Sequence, residues 1–158
     1  MIWRDFEAAA PDLARLGRER FERTNVAMIA TLRRDGSPRV SPIEPVLAMG
    51  HLLLGAMRSE KVRDLQRDPR CALHNSISDL NGTEGEFKLY GTAVPVDAET
   101  RDGGYDAWWK NFPPDRSSVF YIDIEGAAFV GWDTDKGELE VTRWSPDRGV
   151  TVERRPYP

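Results

Sequence analysis

Turn signals divide the sequence into short apolar segments, and this pattern restricts the possible folds more than any other feature. Each segment has the apolar, β-branched or aromatic content that is typical of a β-strand. We predict strands over residues 26–32, 39–47, 51–57, 70–77, 86–96, 118–124, 127–132 and 138–144. The connections at 33–36 and 49–50 contain Asp-Gly and Met-Gly, which indicate tight turns between neighbouring strands. Strands joined in this way predict an antiparallel barrel or sandwich, mainly β, with two or three helices attached.

The remaining segments predict helices and loops around that sheet. Residues 11–23 begin with proline and carry an apolar stripe among charges, and a second helix begins after Ser59 and ends before Pro69. A third helix is expected over 99–112, where the adjacent Trp108 and Trp109 cannot share one helical face. We expect Gly91 to mark a β-bulge, residues 1–158 to form one domain, and residues 147–158 to be a loosely held polar tail.

Composition excludes several classes of function. The formal net charge of −4 argues against general binding to nucleic acid. The single cysteine excludes an intrachain disulfide, and His51 and His74 lie too far apart in sequence for a short metal motif, so we expect no metal site. The first residues do not have a signal-peptide pattern, and no segment has the ~20 apolar residues that span a bilayer. We therefore expect a cytoplasmic protein that does not contact a membrane.

One stretch has the pattern of an anion-binding site. The strand 51–57 leads directly into Ser59 and Lys61 at the start of a predicted helix, where free backbone N–H groups favour a negative charge. Arg39 lies on the adjacent predicted strand and adds a second cation. The same residues also fit an ordinary solvated helix start with a serine cap, so the pattern alone leaves both interpretations open.

Several catalytic motifs do not occur in the chain. There is no glycine-rich dinucleotide or phosphate loop after a strand, and there is no G-x-S-x-G nucleophile elbow. No pair of carboxylates is conspicuous, so no catalytic residue is predicted. Any chemistry is therefore expected to come from a bound cofactor.

The chain resembles the pyridoxamine 5′-phosphate oxidase-like family of FMN-binding split barrels. Three stretches carry the resemblance, and the most specific is the S-x-K-x-x-x-L-x-x-D-P-R pattern that starts at Ser59. They are VAMIATLRRDGSPRVSPI, LLLGAMRSEKVRDLQRDPRCAL and FKLYGTAVPV. The resemblance implies an antiparallel split β-barrel with peripheral helices. It also implies a homodimer that holds two flavins between its protomers and acts on a small-molecule substrate.

The resemblance further implies which residues contact FMN. By position, Arg39 and Lys61 would contact the phosphate and Ser59 would help to cap it. The other predicted contacts lie along the flavin ring or the ribityl chain. They are Val40, Ser41, Pro42, Leu54 and Gly55.

The sequence also departs from the family pattern. Leu54 and Gly55 stand where the family has an aromatic–threonine pair, and Glu86 stands where the oxidase has a glutamine that reaches the cofactor of the partner subunit. Glu44 stands where the true oxidases place a substrate-binding lysine, so we do not expect oxidation of pyridoxine phosphate. The implied function is an FMN- or deazaflavin-dependent oxidoreductase. A non-catalytic flavin- or haem-binding module, or a structural dimer without ligand, stays open.

Overall fold

The structure is a computed structural model that describes residues 1–79, 82–107 and 116–157. These residues form four helices and eight strands. The helices are α1 (Trp3–Ala9), α2 (Pro11–Thr24), α3 (Glu60–Arg67) and α4 (Ala98–Ala107). The strands are β1 (Ala27–Leu32), β2 (Pro38–Ala48), β3 (His51–Met57), β4 (Arg70–Asn75), β5 (Glu86–Pro95), β6 (Ser117–Asp133), β7 (Glu138–Ser145) and β8 (Gly149–Pro156).

The strands form one antiparallel sheet that closes on itself over part of its length. The order is β3-β2-β1-β4-β5-β6-β7-β8, and an additional β3–β6 pairing joins six of the strands into a ring. The first part of β6 pairs with β3, with Leu53 opposite Tyr121, while its second part pairs with β7, with Ala127 opposite Trp144. This change of partner along β6 opens the barrel, which confirms the predicted split β-barrel.

The core fills the space between the sheet and the first two helices. Trp3 and Phe6 of α1 and Phe21 of α2 are buried, and the rings of Trp3 and Phe21 meet Phe87 of β5. The ring centroids of Phe21 and Phe87 lie 5.5 Å apart, nearly perpendicular, and those of Phe6 and Trp144 lie 4.9 Å apart. Such edge-on contacts fix the helices on the sheet. The prediction of α2 is confirmed, whereas α1 was not predicted.

The predicted bulge at Gly91 is confirmed. The register between β5 and β6 shifts between Tyr90 and Gly91, which pair with Gly126 and Ile124, so Glu125 has no direct partner. A Cβ atom at position 91 would lie 2.0 Å from the backbone oxygen of Asp123. The bulge therefore requires glycine at position 91 because the two backbones approach too closely for a side chain.

Two predictions of the local structure need correction, and a third is described only in part. Residues 118–124 and 127–132 form one continuous strand, β6, instead of two. The segment expected to be a loosely held tail forms β8, which pairs with β7 along its whole length. The third helix, α4, extends to Ala107, and Trp108 and Trp109 lie outside the described residues.

Candidate functional site

The first candidate site is a cavity where β3 leads into α3, which we call the helix-start cavity. Its volume is about 300 Å³. Two adjacent strands, β2 and β3, form one wall, and the beginning of α3 forms the other. The lining residues are Val26, Pro42, Ile43, Glu44, Gly55, Ala56, Met57, Ser59 and Lys61. Of the eight predicted cofactor contacts, the structure thus brings Pro42, Gly55, Ser59 and Lys61 together around one space.

Two side chains at the start of α3 give this cavity its polar character. Ser59 is the N-cap residue, but its hydroxyl does not cap the helix, and its buried Oγ has no hydrogen-bond partner. The ammonium group of Lys61 donates a hydrogen bond to the backbone oxygen of Pro42 across the cavity. A buried hydroxyl without a partner is costly in a folded protein, so its position beside a lysine indicates room for a polar ligand.

The charge of Lys61 is poorly hydrated in this position. Burial lowers the pKa of Lys61 from its ordinary value, and the nearby carboxylate of Glu44 raises it in part. An anion in the cavity would favour the protonated lysine, because an opposite charge compensates for lost hydration. Ser59, Lys61 and the first N–H groups of α3 therefore fit a phosphate group at the start of the helix, while Glu44 places one negative charge on another part of the same lining.

Arg39 lies in a second, neighbouring space that we call the arginine cleft, with a volume of about 600 Å³. Its Nε donates to Oδ2 of Asp64 at 2.6 Å, and Thr31 Oγ donates to the same oxygen at 3.0 Å. Arg67 Nη2 donates to Oδ1 of Asp64 at 3.0 Å. The Asp64 side chain is only 3% exposed, so these three donors hold a buried carboxylate. Arg39 and Lys61 consequently line different spaces, although both lie near β2 and the start of α3.

The other predicted contacts differ in their exposure. Val40 is 63% exposed on β2, and Ser41 beside it is half-buried. Leu54 is fully buried in the core, so its side chain is turned away from any ligand and only its backbone can border the cavity. The structure leaves the predicted contacts of Val40, Ser41 and Leu54 as predictions.

Sequence reasoning missed Asp64, the residue that orients Arg39. Burial raises the pKa of Asp64, but the hydrogen bonds from Arg39, Arg67 and Thr31 together bring it below its ordinary value. One signal was available: Asp64 and Arg67 are oppositely charged and three residues apart on a helix, a spacing that allows an ion pair. No sequence signal placed Thr31 and Arg39 against the same carboxylate.

Glu86, which departs from the family pattern, lies beside two basic side chains on the outer face of the sheet. Its carboxylate is 2.5 Å from Lys88 Nζ and 3.5 Å from His74 Nε2. Burial raises the pKa of Glu86, but Lys88 and His74 bring it below its ordinary value. The carboxylate of Glu86 therefore has Lys88 as a cationic partner, so its charge is compensated within the protomer.

Comparison with protein families identifies the chain. Residues 16–131 match the family model described as "Pyridoxamine 5′-phosphate oxidase", which is well over half of the sequence. The chain belongs to this family. A comparison with curated proteins found no match.

Solved structures with the same fold have several functions. A haem-binding protein from Mycobacterium smegmatis has a TM-score of 0.65 and 17% identity, covering 91% of this chain and 88% of that one. A pyridoxamine 5′-phosphate oxidase-related, FMN-binding protein from Nostoc punctiforme has a TM-score of 0.59 and 12% identity, with coverages of 92% and 95%. A NimC/NimA family protein from Clostridium acetobutylicum has a TM-score of 0.61 and 15% identity, with coverages of 94% and 96%. At these identities the likeness concerns the fold.

Two kinds of feature are absent from the residues that the structure describes. None of the helices in residues 1–79, 82–107 and 116–157 is long and apolar enough to cross a membrane. Within the same residues, no group of three or more histidine, cysteine or acidic side chains could hold a metal ion.

Proposed function

We propose that this family member is a flavin-dependent oxidoreductase, with FMN or a deazaflavin as its cofactor. The observation that carries the proposal is the unpartnered, buried hydroxyl of Ser59 beside Lys61 in the helix-start cavity. A phosphate oxygen would give this hydroxyl a hydrogen-bond acceptor and give Lys61 a counter-ion. The bound flavin would supply hydride transfer, and the protein would bind and orient it.

The remaining contacts follow from the position of the cavity. Gly55 lines the wall on β3, where a side chain would reduce the space for a flat ring. Pro42 lines the same wall from the adjacent strand β2 and has no N–H group to leave unpaired. Arg39 borders the neighbouring arginine cleft, and we expect it to approach the phosphate from that side. Val40, Ser41 and Leu54 would contribute backbone groups.

We propose in addition that the protein is a homodimer in which the partner covers the cavity. Val40, Ala30, Ala72 and Tyr90 lie opposite one another on β2, β1, β4 and β5, so they form one apolar row on the outer face of the sheet. Val40 is 63% and Tyr90 52% exposed. Because Pro42 follows on the face of Val40 and lines the cavity, a second protomer on this row would also shield the flavin.

Titration of the purified protein with FMN and with deazaflavin tests the cofactor proposal. Lys61→Ala should weaken binding about 10- to 100-fold, because a charge-assisted hydrogen bond contributes about 1.5–3 kcal/mol. Ser59→Ala should weaken binding by a smaller factor. Lys136→Ala is the matched control, since Lys136 is exposed and pairs with Asp133 in the turn between β6 and β7. If the Lys61→Ala and Lys136→Ala variants bind the cofactor with equal affinity, the phosphate does not bind at the start of α3.

A non-catalytic flavin- or haem-binding module is the alternative. It is supported by the likeness to the haem-binding protein and by Leu54 and Gly55, which offer neither a hydroxyl nor an aromatic ring to a flavin. Absorption spectra after addition of haem or FMN distinguish the two functions. Tight haem binding without flavin binding would favour the module. A bound flavin that is reduced and reoxidised by substrate would favour the enzyme.

Pyridoxine phosphate is not the expected substrate. Glu44 lines the helix-start cavity and stands where the true oxidases place a substrate-binding lysine, so a substrate phosphate bound at this position would meet a carboxylate. At ~5 Å and an effective dielectric constant of ~20, one unit of like charge costs about 3 kcal/mol, whereas a lysine there would contribute a similar attraction. We therefore propose a substrate without a phosphate group near Glu44.

A further inference from the structure

A third cavity lies between α2 and the β6–β7 hairpin, and we call it the hairpin cavity. Its volume is about 640 Å³, and its lining comes from within residues 16–20, 83–84 and 129–140 and from Arg154 of β8. None of the described residues that line it also lines the helix-start cavity or the arginine cleft. The hairpin cavity is therefore outside the proposed flavin site.

The second half of β6 and the adjacent strand β7 form the floor of this cavity. Phe129 lies opposite Phe87 in register, and Phe87 is fully buried, so Phe129 is on the core-facing side of the sheet. Two positions further along β6, Gly131 lies opposite Glu140 and has no side chain to fill the space above it. The apolar row proposed for the dimer lies on the outer face, so a second protomer there would leave the hairpin cavity open.

Four of the charged side chains in the cavity pair with one another. Lys136 Nζ lies 2.6 Å from the carboxylate of Asp133, and Arg154 Nε lies 2.9 Å from that of Glu140. Each pair combines one positive and one negative charge. These four side chains therefore add no net charge to the cavity.

Arg20 is the cation that these pairs leave over, and it is held from two sides. Its Nε donates to the backbone oxygen of Glu84, and its guanidinium carbon lies 5.6 Å from the centroid of the Phe129 ring. The buried carboxylate of Glu84 pairs with Arg23 instead, at 3.0 Å. In the part of the chain that the structure describes, Arg20 forms no ion pair. Its remaining N–H donors are thus prearranged for a carboxylate.

Glu138 is the anion that the pairs leave over. It is exposed at the start of β7, and it forms no ion pair with any residue in the described ranges. The hydrogen bond to Asp133 is the main reason for the raised pKa of Lys136, and the charge of Glu138 adds to it from a greater distance. The lining therefore presents one unpaired cation and one unpaired anion to a ligand.

This lining restricts the kind of ligand. A dianion would meet the unpaired carboxylate and a dication would meet the unpaired guanidinium group, whereas a zwitterion would compensate both. Leu16 and Phe129 add apolar surface, and the volume exceeds what a single amino acid needs. We propose that the hairpin cavity binds a small zwitterion with an apolar body, of the size of a dipeptide, with its carboxylate at Arg20 and its ammonium group at Glu138.

Calorimetric titration of the parent protein with dileucine and its capped forms tests this proposal. N-acetyl-dileucine should bind about threefold or more weakly than dileucine, and dileucine amide about tenfold more weakly, because each cap removes one charge. Glycylglycine keeps both charges but has no side chains for Leu16 and Phe129, so it should bind about tenfold more weakly or worse. Failure of dileucine to bind at millimolar concentration would overturn the proposal. Equal affinity for dileucine and any one of the other three compounds would also overturn it.

Two conservative variants connect each charge of the ligand to its residue. Glu138→Gln should weaken dileucine binding as acetylation does, and acetylation should then have no further effect. Arg20→Gln should in the same way abolish the effect of the amide. Glu99→Gln and Arg15→Gln are the matched controls, since they remove the same charges at exposed positions of α4 and α2 and should bind dileucine like the parent. Equal weakening by a variant and its control would overturn the proposal, because the effect would then reflect net charge alone.

A final arm separates this site from the cofactor site. Dileucine should bind with unchanged affinity when the protein is saturated with FMN, and its displacement by FMN would overturn the proposal. If Arg20→Gln does not fold, the comparison of dileucine with its amide on the parent protein decides whether the carboxylate is bound. If the parent does not bind FMN at all, the proposed flavin function fails, while the capped dipeptides still decide the hairpin cavity.

Discussion

Replacement of Asp64 by asparagine should destabilise the protein strongly. The side chain is 3% exposed and accepts hydrogen bonds from Arg39, Arg67 and Thr31. Asparagine has nearly the same shape, but it removes the charge and turns an N–H₂ group toward one of the donors. Removal of one partner of a buried ion pair costs about 3–5 kcal/mol. Because Arg67 is 38% exposed and can be hydrated after the change, we expect a loss of about 2–4 kcal/mol in the free energy of unfolding.

The effect of this substitution should depend on pH in a defined direction. In the folded protein the pKa of Asp64 lies below its ordinary value of 3.8, because the hydrogen bonds from Arg39, Arg67 and Thr31 outweigh the effect of burial. A lowered pKa contributes stability that is fully present above the unfolded value and is lost as the pH falls through the folded pKa. Asparagine does not titrate. The difference between parent and variant should therefore be largest near neutral pH and should shrink below about pH 4.

Urea denaturation followed by tryptophan fluorescence measures both effects, since the chain has five tryptophans. Parent and Asp64→Asn are compared from pH 7 down to about pH 3.5, so the other carboxylates titrate in both proteins. Asp12→Asn, at an exposed position of α2, is the control and should change stability by less than about 0.5 kcal/mol. A loss no larger than that of the control, or a loss that stays constant through acid pH, would refute this account of Asp64.

Three further predictions test the bulge, the dimer and the substrate. Gly91→Ala should lower the free energy of unfolding by about 3 kcal/mol or more, because its Cβ would lie 2.0 Å from a backbone oxygen. Gly137→Ala is the control: its Cβ would meet open space, but its φ of +63° should cost about 1 kcal/mol. Equal urea midpoints for the two variants would contradict the prediction for Gly91. Val40→Glu should convert a dimer into a monomer of 17.9 kDa by light scattering while Val152→Glu does not, and a parent that is already monomeric would exclude the dimer. FMN-loaded protein should form no pyridoxal phosphate from pyridoxine phosphate; saturable formation would show that Glu44 does not exclude this substrate.

The sheet was largely predictable because each strand is a local pattern. Six of its strands begin and end within two residues of the predicted bounds, and Met49 and Gly50 adopt positive φ angles in the expected turn between β2 and β3. The local sequence pattern did not predict the closed ring, since the β3–β6 pairing joins residues that are 60 or more positions apart. The family resemblance, and not periodicity, supplied that part of the architecture.

The errors occurred where local composition and tertiary context disagree. Residues 147–158 read as a polar tail because β8 has only one short apolar alternation, Val150 and Val152, and every residue of the strand is exposed. Its stability comes from pairing with β7 and from cross-strand ion pairs such as Arg154 with Glu140. Helix α1 was missed for a related reason. Its seven residues include only one turn of apolar contacts, and the burial of Trp3 and Phe6 depends on partners in distant strands.

The candidate site was predictable as a set of residues but not as an arrangement. The pattern that starts at Ser59 places Lys61 beside a helix start, and the structure places both on one cavity. The sequence pattern does not reveal that Asp64, three residues after Lys61, accepts a hydrogen bond from the Nε of Arg39. Which cation meets a phosphate therefore depends on a competition between Asp64 and the ligand for Arg39. Asp64 is buried, so loss of a donor would leave its carboxylate less well compensated. Arg39 would therefore have to keep its hydrogen bond to Asp64 while it turned toward the phosphate. We expect Lys61→Ala to weaken FMN binding more than Arg39→Ala does, and the reverse order would show that Arg39 leaves Asp64 when the cofactor binds.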